Sequence, residues 1–225
     1  MINSRGIFVT ATGTDIGKTY ISALLVSYFR NSGMNCGYYK PVLSGAVKQA
    51  DGTLLPGDAD YVVKVANLDI NPAQCVTYCF EDAVSPHLAA ERSGVRIELE
   101  KIKEHYNKLQ QQYEMLVVEG AGGITCPLNL RDEKFLLSDV IKALDIDVVL
   151  VADAGLGTIN SVLLTYEYAK SKGINIVGVI YNNYESDNFM HLDNIKQIER
   201  LTGLKTLAKV KKGDNTIDFL TGVSV

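Results

Sequence analysis

No apolar run in the 225 residues approaches the ~20 positions needed to span a bilayer, and the N-terminus lacks the apolar core of a secretory signal. A soluble, cytosolic (cytoplasmic) protein with no membrane partner is expected. Positive charge is not in excess either: 22 Lys and Arg stand against 26 Asp and Glu, a net charge of −4. General attraction to nucleic acid or anionic lipid is therefore not expected, and any phosphate binding has to be a local feature. Cysteine is sparse. Cys36, Cys75, Cys79 and Cys126 are scattered, and neither a second close pair nor a nearby histidine completes a zinc set. Reduced thiols are the expectation. The chain has no Ser-His-Asp order, no G-x-S-x-G and no metal-spaced histidine pair, which disfavours acyl transfer by a side-chain nucleophile. Repeats, low-complexity blocks and Pro/Ser-rich linkers are missing too, so residues 1–225 read as one domain.

What is present is the composition of a packed α/β protein, with 47% hydrophobic and 21% charged residues. Apolar β-branched runs predict strands near Gly6–Thr10, Cys36–Lys40, Met115–Glu119, Val148–Ala152 and Ile176–Tyr181, with a weaker one near Thr206–Val210. Helical patterns fall near Lys18–Asn31, Ala59–Ala66, Ile97–Tyr113, Lys134–Leu144, Thr158–Ser171 and Asn188–Leu201. Continuous runs such as Val148-Val149-Leu150-Val151-Ala152 suit strands covered on both faces. The alternation predicts a three-layer, doubly wound, mainly parallel sheet that binds ligands beyond the strand C-terminal ends. Gly45–Pro56 reads as a polar loop, and Lys211–Val225 has no clear assignment.

The most informative stretch runs from Ile7 to Thr19. A strand reaches Thr12-Gly13-Thr14-Asp15-Ile16-Gly17-Lys18-Thr19 and a helical segment follows. Backbone N–H groups at such a helix start converge on an anion, Lys18 adds charge and the Thr19 hydroxyl is a Mg²⁺ ligand type. This is a phosphate loop of the P-loop NTPase kind, although Thr12 stands where the usual pattern has its first glycine. A Gly-rich turn that only caps a helix is the plainer alternative.

Three more loops follow predicted strands. Lys40-Pro41-Val42-Leu43-Ser44-Gly45 places an ammonium at a strand end, where a solvated edge lysine would look the same. Glu119-Gly120-Ala121-Gly122-Gly123 lets backbone approach a ligand beside an acid of the kind that helps hold Mg²⁺; the alternative is a structural turn. Gly155 to Ser161 offers a second helix start, with Thr158 and Asn160 suited to a carboxylate or to capping. Gly57-Asp58-Ala59-Asp60 gives a carboxylate that is either a ligand or a cap. His87, in Ser85-Pro86-His87, reads as a surface or capping residue, and Asn182, at a strand end, as a base-reading amide or a turn residue.

Together these loops resemble dethiobiotin synthetase, the ATP-dependent carboxylase of biotin synthesis. Lys-Pro-Val-x-Ser-Gly at 40–45 and Val-Glu-Gly-Ala-Gly-Gly at 118–123 carry the resemblance, with Ser85-Pro86-His87, Pro127-Leu128 and Leu156-Gly157-Thr158-Ile159-Asn160 in the family's order. The resemblance implies carboxylation and ring closure of 7,8-diaminononanoate with CO2 and ATP, through a carbamate and its phosphoric anhydride. It implies that Gly13, Thr14, Asp15, Ile16, Gly17, Lys18 and Thr19 wrap the nucleotide and that Thr19, Asp58 and Glu119 hold Mg²⁺. Lys18 would bridge the phosphates and the carbamate. Lys40 would steady the carbamate and transferred phosphoryl group, with Thr14 and Ser44 donating hydrogen bonds. Gly120, Ala121, Gly122 and Gly123 would line the diamine site, with Gly157, Thr158, Ile159 and Asn160 of a homodimer partner on its carboxylate, and Asn182 would read the adenine. Ala11, Gly13 and Asp15 depart from the family's usual glycine, aspartate and glutamate, and Leu207 to Lys212 lacks its Gly-x-Ile-Pro segment. The alternatives are a partitioning or septum-positioning ATPase, which typically carries a lysine early in the loop where Met1 to Ile16 has none, and a cobyrinate-type amidating ligase, whose glutaminase domain has no room here.

Overall fold

The structure, a computed structural model, describes residues 5–131 and 133–220. Seven parallel strands form the central sheet: β1 (Gly6–Ala11), β2 (Cys36–Ser44), β5 (Val76–Phe80), β6 (Met115–Glu119), β9 (Asp147–Asp153), β10 (Ile176–Asn182) and β11 (Thr206–Lys209). Their order is β11-β10-β9-β1-β6-β2-β5, so the first strand lies centrally and the chain winds away from it in both directions. The crossovers are α1 (Lys18–Asn31), α2 (Gly57–Val65), α3 (Pro86–Arg92), α4 (Leu99–Gln110), α5 (Leu137–Leu144), α6 (Thr158–Ser171) and α7 (Phe189–Thr202).

Strand alternation divides each apolar run between two cores. Ile7, Val9 and Ala11, with Val149 and Val151, face α1 and α2, while Phe8, Val148, Leu150 and Ala152 face the layer of α4 to α7. Burial on both sides is why these strands read as unbroken hydrophobic stretches. Helix α1 buries Ile21, Ala23, Leu24, Leu25, Val26 and Phe29, each larger side chain contributing about 1.5–3 kcal/mol of transfer free energy.

Four sequence expectations need correction. Strand β2 does not end at Lys40 but runs on to Ser44. It pairs β6 over Cys36–Tyr39 and then β5 over Lys40–Ser44, changing partner beside Pro41, whose missing N–H suits a position that gives up a ladder bond. The 45–56 segment is not only loop: β3 (Val47–Lys48) and β4 (Leu54–Leu55) form a short hairpin. The helix expected from Lys134 begins at Leu137, because Phe135–Leu136 is a strand (β8) paired with β7 (Pro127–Asn129). The one expected over Ile97–Tyr113 is shorter, at Leu99–Gln110. Strand β5 and helix α3 were not anticipated. In the C-terminal stretch, Ile217 is buried in the α1 core, Phe219 packs edge-on against Tyr28 at 4.8 Å, and Ala208 bridges Phe219.

Behind β2 a half-buried polar chain ties the sheet to α4. Tyr39 OH lies 2.6 Å from Thr77 Oγ1, Thr77 Oγ1 lies 2.9 Å from His105 Nδ1, and His105 Nε2 lies 3.0 Å from the Gln74 carbonyl. A carbonyl only accepts, so the neutral ring carries its proton on Nε2 and takes the Thr77 hydroxyl at Nδ1. Burial, with Lys108 adding repulsion and the Gln74 bond opposing, holds the His105 pKa below its ordinary value. The unfolded chain therefore binds a proton near pH ~6.5 that the folded chain refuses until lower pH. Thermal unfolding scans should show stability falling as pH drops from there through the folded value and flat above it. His105→Gln should remove that component; an unchanged slope would assign it elsewhere.

Candidate functional site

A cavity of about 610 Å³ opens where β1, β6 and β2 end or lose a neighbour. Its lining includes Thr14, Asp15, Gly17, Lys18, Thr19, Lys40, Ser44, Asp58, Glu119, Ala121 and Gly122, so most residues singled out from sequence come together here. The β1–α1 turn supplies the first wall. Asp15 and Gly17 both take left-handed backbone, φ 60° and 99°. At Gly17 a side chain has no space, since a Cβ there would stand 2.2 Å from Asn182 Nδ2. That turn leaves Gly17 as the N-cap of α1 and brings Lys18 and Thr19 to its first positions, where unpaired helix N–H groups favour an anion.

The charged core of the site is compact. Glu119, the last residue of β6, is wholly buried. Its Oε1 accepts from Thr19 Oγ1 at 2.8 Å and from Lys40 Nζ at 2.6 Å, and its Oε2 accepts from Tyr38 OH at 2.8 Å. Lys40 Nζ also meets Asp58 Oδ2 at 2.6 Å and the Gly120 carbonyl at 3.3 Å. Asp58 comes from the first turn of α2, where an acid also complements the helix dipole.

The two lysines sit in opposite electrostatic situations. For Lys40 burial works to lower the pKa, but Glu119 and then Asp58 outweigh it and hold the ammonium above its ordinary value. For Lys18 burial is the largest influence and the Lys40 charge adds to it, so its pKa is lowered despite Glu119 and Asp58. Lys18 Nζ donates to the Gly13 carbonyl at 2.9 Å, a neutral partner. The site therefore has a cation held by carboxylates beside a second one lacking direct carboxylate contact, which additional negative charge would satisfy. Burial, followed by the Glu119 charge, pushes the Tyr38 phenol well above its usual value, so this O–H stays a donor.

Other expected residues stand apart. Gly120 lies under the site rather than in its wall, where a Cβ would meet Leu137 at 2.7 Å and Phe8 at 3.0 Å. Gly123 packs near the Ala11 carbonyl and the Gly13 backbone. Asn182, at the end of β10, is buried beneath the loop with Nδ2 donating to the Ile16 carbonyl at 2.9 Å, while its Oδ1 is buried without a partner. Gly157, Thr158, Ile159 and Asn160 open α6 outside this cavity's lining, and Thr158 Oγ1 turns back to the Asp153 carbonyl at 2.5 Å. His87 Nδ1 lies 3.1 Å from Ser85 Oγ at the start of α3.

Sequence reasoning missed three tyrosines. Tyr20 and Tyr61 line the cavity, and Tyr38 holds Glu119. The signal for Tyr38 was available: residues two apart on a strand share a face, so a functional Lys40 places Tyr38 on the same side.

Residues 5–217 match a protein family described as an AAA domain. An ATP-dependent dethiobiotin synthetase BioD from Clostridium botulinum strain Langeland is 48% identical over 191 residues, 85% of this chain and 84% of that protein. The enzyme of the same name from strain Loch Maree is 43% identical over 212 residues, 94% and 93% of the two chains. This chain belongs to the dethiobiotin synthetase family. Solved structures place the family's fold more widely. A ParA family ATPase from Chlorobium tepidum TLS superposes with a TM-score of 0.55 at 16% identity, covering 94% of this chain and 84% of that one. A chain of the MinC:MinD cell division complex of Aquifex aeolicus gives 0.55 at 11%, covering 93% and 82%. At such identities the likeness concerns the three-layer α/β fold alone, whereas the dethiobiotin synthetase family is set by the nearer sequences.

Proposed function

We propose that this chain is an ATP-dependent ligase of biotin biosynthesis that carboxylates 7,8-diaminononanoate and closes it to dethiobiotin. The observation that carries the reading is the buried Lys40, bonded to Glu119 and Asp58, in one cavity with Lys18 and Thr19. One substrate amine adds to CO2 and loses a proton, giving a carbamate. The carbamate oxygen takes the γ-phosphoryl group and ADP leaves. The second amine then attacks the carbamoyl carbon, expels phosphate and loses its proton to leave the cyclic urea. Each stage develops anionic oxygen, so fixed cations and N–H donors are what the chemistry requires.

In this reading Gly13 to Thr19 cradle the triphosphate, and Lys18 exchanges the Gly13 carbonyl for phosphate oxygens and the carbamate. Lys40 stays protonated and turns toward the carbamate and the transferred group, with Thr14 and Ser44 donating beside it. Ala121 and Gly122 line the diamine's path. Thr19, Asp58 and Glu119 are oxygen donors of the hard kind, gathered within 2.6–2.8 Å contacts about a place that already holds positive charge, and they fit Mg²⁺. That ion, when bound, would supply positive charge that neutralises the negative charge developing on the phosphates. Asn182, with its unpartnered Oδ1, is the candidate for contact with the adenine amine once the loop adjusts.

The same proposal takes residues 1–225 as one domain acting as a homodimer. Gly157 to Asn160 would grip the diamine carboxylate across the interface. Exposed apolar side chains on the α6–α7 side, Leu156 at 93%, Phe189 at 85% and Leu164 at 64%, support a covering subunit there. Dependence on ATP supports a cytoplasmic location; among the described residues no helix is long and apolar enough to cross a membrane. The test is to supply ATP, Mg²⁺, bicarbonate and the diamine and to follow phosphate. Release that depends on the diamine is expected; release indifferent to it would favour a nucleotide-switch ATPase and overturn the reading.

A further inference from the structure

Glu119 uses its two oxygens differently. Oε1 faces Thr19 and Lys40, while Oε2 faces Tyr38. The function proposed above gives both Oε1 donors a further partner. Thr19 has to turn a lone pair, not its proton, toward a divalent ion, and Lys40 has to turn toward the carbamate. Of the three donors to Glu119 only Tyr38 has no ligand to serve in that reading. We propose that Tyr38 is a positioning residue whose hydroxyl fixes the Glu119 carboxylate through Oε2 while Oε1 serves the metal. The inference rests on the reading of Glu119 as a Mg²⁺ ligand.

The backbone makes Tyr38 suitable for this. Tyr38 is opposite Val117 in the β2–β6 ladder, and Lys40 and Glu119 lie two residues further along the same faces. Tyr38 is 1% exposed, so water does not compete for its bond. A phenol is also neutral. It can hold a carboxylate without adding a positive charge that would compete with the incoming ion, as a lysine or arginine would. Partners behind a ligating carboxylate commonly govern metal affinity as strongly as some ligands do.

The test uses Mn²⁺ as the probe, its free signal followed by electron paramagnetic resonance with ADP present. Tyr38→Phe should weaken Mn²⁺ binding about 10-fold. It should leave ADP affinity in EDTA unchanged, which also certifies a folded phosphate loop, and its turnover should recover as Mg²⁺ is raised. Tyr39→Phe is the control. It removes an equally buried hydroxyl from the other face, bonded to Thr77 and the Ile102 carbonyl, and should lower the melting temperature without moving Mn²⁺ affinity. Glu119→Gln separates the two levels. If it weakens Mn²⁺ binding while Tyr38→Phe does not, the role of Tyr38 is overturned alone. If Glu119→Gln itself leaves Mn²⁺ binding intact, the metal reading falls and the inference falls with it.

Discussion

Lys40→Met should cut turnover by about 10³-fold or more and also lower the stability of the ligand-free protein by about 3 kcal/mol. Two losses coincide because one ammonium has two duties. In the free protein it neutralises Glu119, wholly buried, and Asp58, whose side chain is 40% exposed. Removing it leaves the Glu119 charge in the interior with Thr19 and Tyr38 as its side-chain donors among the described residues, and an uncompensated buried charge is costly. Asp58 can recover water. Nucleotide binding should survive largely intact, since Lys18 and the loop backbone are untouched. The stability loss has a specific remedy: adding Glu119→Gln should restore most of it in urea unfolding while turnover stays absent. Product formation near the wild-type rate in Lys40→Met would refute the role given to this residue.

Lys18→Ala should behave with the opposite sign in the free protein. Lys18 donates to a backbone carbonyl, and burial and the Lys40 charge both disfavour its ammonium. Taking it away should leave melting temperature level or slightly raised. The cost is expected in ATP binding. Loss of one charge-assisted phosphate contact should weaken ATP binding about 10²-fold, equivalent to about 2.7 kcal/mol, with turnover falling alongside. Calorimetric titration reads the affinity directly, and an unchanged value would remove the phosphate-loop assignment. The contrast between the two lysines follows from whether a carboxylate lies within direct reach.

Most of the central sheet was legible because its strands are buried on both faces and interrupted by strong turn chemistry. Gly17, Lys18 and Thr19 were legible for the same reason: loop, charge and hydroxyl are local in sequence. What escaped detection depends on distant partners. Strand β5 is short, with Thr77 and Cys79 only half-buried, and gains its identity from pairing the far half of β2. The continuation of β2 through Pro41 was hidden by proline's poor standing in strands, which the change of ladder partner excuses. Helix α3 opens on Pro86, a good first helical residue that also reads as a turn. The segment after Lys211 shows no period because Ile217 and Phe219 answer to α1, nearly two hundred residues earlier. Tyr38 went unnoticed because a tyrosine in a strand usually needs no purpose beyond packing.

Strands β1, β6 and β2 are hydrogen-bonded neighbours, and each ends or opens beside one polar group: the loop carrying Lys18, then Glu119, then Lys40. Adjacent strands lie about 4.8 Å apart, so the spacing among these three groups is set by a peptide ruler before side-chain choice enters. Moving one of these groups relative to the others along the sheet would require a change of strand register, not a change of rotamer.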